Sequence, residues 1–203
     1  MKEYNITSGF LDRQRKLILA EDYLEWENGD LLGKRFTRLN KPDISDFKHG
    51  MDWIVWYKFT VGRQFTITFK DRRNNEVRIC FDSYFGLHKE NNQLYSDIID
   101  DIWALYHSGI VDTYLDKFCA NEEFEIQGIR LNKSGIQLRG GASILSWDKV
   151  RMKEYHSYFV VYFRDNPEIH SRVSYNEYGT EVLWSMLKTI LKERETNASQ
   201  YSA

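Results

Sequence analysis

The feature that most constrains this chain is a match of the sequence to itself at a fixed offset of 94 residues. Phe65-Thr-Ile-Thr-Phe69-Lys70-Asp71 faces Phe159-Val-Val-Tyr-Phe163-Arg164-Asp165, and Arg78 to Tyr84 faces Arg172 to Tyr178 at the same offset without a gap. Within residues 65–85 there are five identities: both Phe, the Asp, the Arg and the final Tyr. A repeat at fixed spacing reads as one supersecondary unit laid down twice, so the fold has to hold two copies.

The periodicity says what that unit is. Phe65, Ile67 and Phe69 alternate with Thr66, Thr68 and Lys70, and Val77, Ile79 and Phe81 alternate with Arg78, Cys80 and Asp82. A period of two is that of a strand with one buried face. Asp71-Arg-Arg-Asn-Asn75 between the runs is turn chemistry. The second copy repeats the pattern with Phe159, Val161 and Phe163, a turn at Asp165-Asn166-Pro167, then Val173 and Tyr175. Each copy predicts a hairpin. The repeated Asp and Arg read as turn-forming and solvated residues in preference to a functional pair.

A helix is predicted after each hairpin. Val182, Leu183, Met186, Leu187 and Ile190 share one helical face, as do Leu94, Ile98, Ile102 and Leu105. Ser96 before Asp97 is the candidate N-cap of the first helix. Ile110, Tyr114, Leu115 and Phe118 keep helical spacing past Gly109, so one long helix or two abutting helices bridge the copies, and Asn121-Glu122-Glu123 ends them. Gly inside a helix costs about 1 kcal/mol relative to Ala.

Upstream of the hairpins the copies correspond less tightly. Leu17-Ile18-Leu19 and Tyr23 to Trp26 flank Ala20-Glu21-Asp22, while Ile129 to Leu131 and Gly135 to Leu138 flank Asn132-Lys133-Ser134. Phe36 to Phe47, around Asp43-Ile44, corresponds to Ile144 to Val150, and the first copy then carries about a dozen extra residues that include Met51 to Gly62. Several antiparallel strands followed by one helix fit a small sheet rolled around a core with the helix closing one end, an α+β class.

This order, with Ser146-Trp147-Asp148-Lys149-Val150 read as a strand, resembles the pleckstrin-homology superfamily in its bacterial and GRAM-like forms. The resemblance implies two tandem modules, each a curled antiparallel sheet or partly open barrel with a C-terminal helix. Residues 12–106 form the first, with the aromatic insertion. Residues 107–121 are a helical linker, 122–194 the second module, and 195–203 a polar, disordered tail. Phosphoinositide-binding members use basic residues around the first strand–turn–strand. The turn here is Ala20-Glu21-Asp22 in one copy, whose acids repel a phosphorylated head group, and holds Lys133 with Arg130 nearby in the other. Members also bind proteins and peptides, so the resemblance alone selects no function.

Composition removes several classes. Apolar residues make up 42% of the 203, enough for a core in each half, and the formal net charge of −2 lacks the basic excess of a nucleic-acid binder. No apolar run reaches the roughly 18–20 residues of a spanning helix, and the N-terminal residues do not read as an export signal, so a cytoplasmic location is expected. Cys80 and Cys119 are too few for a disulfide framework. The chain has no phosphate-binding glycine loop, no His-Glu-x-x-His, no Cys-x-x-Cys and no Gly-x-Ser-x-Gly. His49, His88, His107, His156 and His170 are dispersed without ligand spacing, and the expectation is of no catalytic residue, no metal and no cofactor.

Two features remain. Trp53-Ile-Val-Trp56-Tyr-Lys58-Phe59, read as one strand, puts Trp53, Val55, Tyr57 and Phe59 on one face and Ile54, Trp56 and Lys58 on the other. A Trp can bury roughly 200 Å², so the second face is expected to be covered, by the other module or the connecting helix, or by a partner chain or a second copy. Basic clusters stand at Arg13-Arg15-Lys16, Lys34-Arg35-Arg38, Lys70-Arg72-Arg73 and Lys149-Arg151-Lys153. The last supplies candidate contacts to an anionic surface, where each basic residue would add about 1 kcal/mol of attraction. The expected function is a non-catalytic, intracellular binding or scaffold protein acting through an unidentified protein partner, without nucleic acid. A peripheral membrane or lipid-sensing module is the alternative, an enzyme of unknown type the next, and homo-oligomerisation stays open.

Overall fold

The computed structural model describes residues 1–9, 12–29, 35–84, 88–155 and 157–200, with the backbone alone for 88 and 195–200. Lys34 and His156 lie outside the described residues, as does the side chain of His88. The fold is α+β with antiparallel sheets, and no barrel closes among the described residues. The chain divides into two compact units, Met1–Gly109 and Ile110–Ala203.

In the first unit β1 (Lys2–Thr7), β2 (Gln14–Leu19), β3 (Tyr23–Glu27) and β4 (Phe36–Asn40) form an antiparallel sheet in chain order. Pro42 sits in a single 3₁₀ turn, Lys41–Asp43, where its fixed φ suits the tight geometry. A second antiparallel sheet follows, of β5 (Ile44–Trp56), β6 (Phe59–Asp71) and β7 (Glu76–Tyr84). Helix α1 (His88–Ile102) comes next, then a π turn at Trp103–His107 and α2 (Ser108–Cys119). Alternation places Phe65, Ile67 and Phe69 of β6 and Val77, Ile79 and Phe81 of β7 in the core. Leu17, Leu19 and Leu24 face them from the other sheet's strands, and Ile98, Ile102 and Tyr106 from the helical segment. Each fully buried aliphatic or aromatic side chain contributes about 2 kcal/mol of transfer free energy. The Tyr106 hydroxyl reaches the carbonyls of Ala20 (2.8 Å) and Tyr23 (2.7 Å), which ties the β2–β3 turn to the helix. Burial pushes that hydroxyl well above the usual tyrosine range.

The second unit repeats the order. Strands β8 (Phe124–Ile126), β9 (Ile129–Asn132) and β10 (Gly135–Gln137) form one sheet, and an isolated bridge from Ile136 to Leu145 supplies a fourth segment. Again a single 3₁₀ turn, Trp147–Lys149, precedes three strands: β11 (Val150–Glu154), β12 (Tyr158–Phe163) and β13 (Asn166–Ser174). Helix α3 (Thr180–Gln200) closes the unit. Val182, Leu183, Met186, Leu187 and Ile190 of α3 are buried with Trp147, Val150, Phe159, Val161 and Val173 in one core.

The two predicted hairpins are β6–β7 and β12–β13. Their registers differ: Phe65 faces Phe81, whereas the corresponding Phe159 faces Val173. Position 175 would correspond to Phe81, so the second pairing is shifted by two residues, as its shorter turn demands. An even shift keeps every side chain on its own face, so the core survives it. Tyr175 still lies 5.8 Å, ring to ring, from Phe159, against 5.1 Å for Phe65 and Phe81.

Several sequence expectations are corrected here. The first helix starts at His88, so Ser96 lies inside α1 and is not its cap. The expectation of one long helix holds, by contrast: helical structure is unbroken from His88 to Cys119, with a π turn at Trp103–His107 inside it. Trp147 to Lys149 is a 3₁₀ turn instead of strand, and the strand begins only at Val150. Helix α3 runs to Gln200, through residues 195–200 that the sequence assigns to a disordered tail. Strand β1 lies before residue 12, the expected start of the first module, and pairs with β2 along its whole length.

Candidate functional site

The aromatic run from Trp53 to Phe59 is not one strand. Strand β5 ends at Trp56, the chain turns at Tyr57-Lys58, and β6 starts at Phe59, with Trp56 opposite Phe59. Tyr57 carries φ of 57°, a left-handed conformation that a two-residue hairpin needs and that a bulky residue adopts at some cost. The reason is one of register. Val55 faces Thr60 and Ile54 faces Gly62, so a bulge in β6 realigns the pairing just before the turn. Ile54, Trp56 and Lys58 therefore do not form a single strand face. Trp56 stands at a strand end and Lys58 in the turn.

Among the described residues the pairing of β7 with β6 ends at Tyr84, opposite Gly62, so of the described strands only β5 and β6 reach the tip. A Cβ on Gly62 would lie 2.6 Å from the Ser83 carbonyl oxygen, so glycine lets the strands close here. Trp53 is 55% exposed, Val55 60%, Trp56 76%, Tyr57 83% and Phe59 70%. The face expected to be buried is exposed as well as the other, with only Ile54 half-buried. Five of the nine exposed large apolar side chains among the described residues lie on this one hairpin, which is a concentration and not scatter. The Arg63 guanidinium sits 4.6 Å from the Trp53 ring centroid and donates to Asn92 Oδ1 at 3.3 Å. Trp53 is thereby held at the root of the tip by a cation–π contact.

A second candidate lies in the second unit, where a groove of about 740 Å³ opens beside the Trp147 turn. Its floor is Leu115, Phe118, Trp147, Ile190 and Leu191, and its rim carries Lys133, Arg151, Arg164 and Arg194 against Asp148 and Glu193. Trp147 donates its indole N–H to the Asn132 carbonyl at 2.9 Å, and Phe118 meets its ring edge-on at 5.7 Å. The Arg151 guanidinium is held by the carbonyls of Asp148 (2.9 Å) and Val150 (2.7 Å). Ser146 donates to the Asp148 carboxylate, which lowers its pKa.

The predicted anionic-surface residues therefore separate. Arg151 joins the groove rim. Lys149 is engaged by Asp165 at 2.9 Å, and Lys153 lies 5.3 Å from the Tyr155 ring centroid. Asp165, the partner of Asp71 in the repeat, is held below the usual carboxylate range by Lys149 and Arg164. Asp71 accepts the amides of Arg73 and Asn75 at 2.8 Å each and so caps its turn, and the Asn75 side chain is the first cause of its lowered pKa. No group of three or more His, Cys, Asp or Glu that could hold a metal stands among the described residues. No helix among them is long and apolar enough to cross a membrane. Sequence reasoning missed the groove, because its residues come from five separate segments and share no local pattern.

Comparison with known proteins finds no matching family, no matching curated protein and no matching solved structure.

Proposed function

We propose that this chain is a non-catalytic binding protein of two pleckstrin-homology-like modules, and that it docks onto a partner protein through the β5–β6 aromatic hairpin. The observation that carries the reading is the exposure of five large apolar side chains on one hairpin tip. Trp and Tyr dominate the energetics of protein interfaces because each buries much area at little entropic cost. Leaving them in water forgoes that burial and invites aggregation. The module assignment is supported by the shared order: four strand segments, one 3₁₀ turn, three strands and a helix, found in both units. The test is a photo-crosslinking amino acid placed at Trp56 in the source cell. A light-dependent protein adduct, lost on Phe59→Asp, is expected; adducts to lipid alone, or none, overturn the reading.

The groove of the second unit favours a second reading, an anionic lipid as ligand, since four cations and two carboxylates ring an apolar floor. Flotation on anionic vesicles, weakening with salt and with Lys133→Glu, supports it. Equal recovery on neutral vesicles removes it.

A further inference from the structure

We infer that Arg38, Arg72 and Arg73 form an anion-binding pocket in the first unit, and that it takes the phosphoryl group of a phosphate monoester. The inference stands apart from the docking hairpin, because the pocket lies at the Asp71 end of β6 and the aromatic tip at the Phe59 end.

The sequence holds these arginines in two separate basic clusters, and folding joins them. Arg38 lies on β4, and Arg72 and Arg73 lie in the turn between β6 and β7. The Arg72 amide donates to the Asp43 carbonyl at 3.0 Å, which ties that turn to the 3₁₀ turn after β4. Asp71 braces the turn from within. It accepts the Arg73 and Asn75 amides and the Asn75 side chain at 2.8 Å each, while Asn74 takes the left-handed φ of 65°. The arginines are therefore carried by a strand and a short, hydrogen-bonded turn. Together with Leu39, Asp43 and Asp71 they line a pocket of about 180 Å³. The second hairpin forms with Asn166 and Pro167 where the first has Arg72 and Arg73, so a hairpin of this kind does not need the arginines to fold.

Charge and size select the ligand. A guanidinium stays protonated at any pH a protein meets, so three around one pocket repel one another until an anion joins them. The nearby carboxylates are directed elsewhere. Asp71 serves its own turn, and Asp43 accepts the Asn40 side-chain amide at 3.2 Å. Arg38 has Glu25 across from it in β3, yet its guanidinium lies over the Tyr23 ring, 3.6 Å from the centroid. Stacking of that kind fixes the guanidinium plane and leaves the N–H groups at its edge able to donate. Among the described residues, none of the three guanidinium groups makes an ion pair or a side-chain hydrogen bond. Three arginines against two aspartates leave the pocket net positive. A phosphate monoester brings about −1.5 to −2 charges and three strong acceptor oxygens, one for each guanidinium. A carboxylate or a phosphodiester brings less charge and fewer oxygens. Pockets for drug-sized ligands run about 300–1,000 Å³, so this smaller one admits a single group and leaves the rest of the molecule outside.

The test is isothermal titration calorimetry of the full chain with glycerol 3-phosphate, with dimethyl phosphate as the diester control and thermal melts to confirm folding. Saturable binding of the monoester, roughly tenfold or more tighter than of the diester, is expected. Arg72→Gln should weaken it at least about tenfold. Arg72→Lys, which keeps the charge and loses the planar fork, should fall between. Arg78→Gln removes an equal charge from an exposed position of β7 outside the pocket and should leave binding unchanged. A second arm is flotation on phosphatidylcholine vesicles with and without phosphatidic acid. Flotation that needs phosphatidic acid and is lost in Arg72→Gln supports the pocket with a lipid head group as the source; titration without flotation supports it with a soluble phosphate ester. Absence of both a glycerol 3-phosphate titration and an Arg72-dependent flotation overturns the inference. So does an equal loss in Arg72→Gln and Arg78→Gln, or an equal affinity for the diester.

Discussion

Trp147→Phe separates packing from mere hydrophobicity. Trp147 is 1% exposed, with its ring in the second unit's core and its indole N–H on the Asn132 carbonyl. Phenylalanine keeps an aromatic ring there but removes the donor and part of the volume. Losing the donor to a buried carbonyl costs about 1 kcal/mol. The missing volume, about 40 Å³ at roughly 24 cal/mol per Å³ of residual cavity, costs about another 1 kcal/mol. The lost burial of some 40 Å² of apolar surface adds about 1 kcal/mol. The expected destabilisation is therefore about 3 kcal/mol. Urea unfolding followed by far-ultraviolet circular dichroism measures it, with Trp56→Phe as the comparison. Trp56 is 76% exposed, so that second substitution should fall within about 0.5 kcal/mol of wild type. A Trp147→Phe cost below about 1 kcal/mol, or equal costs for both, would refute the argument that the packing of this ring and its hydrogen bond to Asn132 stabilise the second unit.

Two further outcomes follow from the same structure. Glu27 is buried and accepts the Lys16 amide at 3.0 Å and the Arg13 guanidinium at 3.0 Å, and the amide leads in holding its carboxyl below the usual range. A depressed folded pKa gives stability that is complete above the unfolded value and drains away as pH falls through the folded one, so the loss begins below about pH 4. Glu27→Gln should cost about 2 kcal/mol at neutral pH and flatten the acid limb of a thermal-melt series; an unchanged acid limb counts against it. Gly135 faces the bridging segment closely: an added Cβ would lie 2.3 Å from the Leu145 carbonyl oxygen. Gly135→Ala should lower stability by more than about 2 kcal/mol through this overpacking, and a melting temperature within error of wild type would show that the bridge yields freely.

Features with a short period were legible in the residues alone. The hairpins β6–β7 and β12–β13 were legible because alternation over five residues already assigns each side chain to a face, and the core of the structure uses those faces. The buried stripe of α3 was legible for the same reason. The tip at Tyr57-Lys58 was not: neither residue is a turn former, and the turn is imposed by pairing with β6 and a bulge three residues on. Nor could alternation say that Trp53 and Val55 stand in water. Their pattern matches that of a half-buried strand, and burial depends on what lies opposite, which is a property of other segments. The groove around Trp147 has the same origin, since Lys133, Arg164 and Arg194 meet only after three turns and a helix have brought their segments together. Local period is written in neighbouring residues, whereas exposure and convergence are set by contacts between residues distant in sequence, which exist only once the chain has folded.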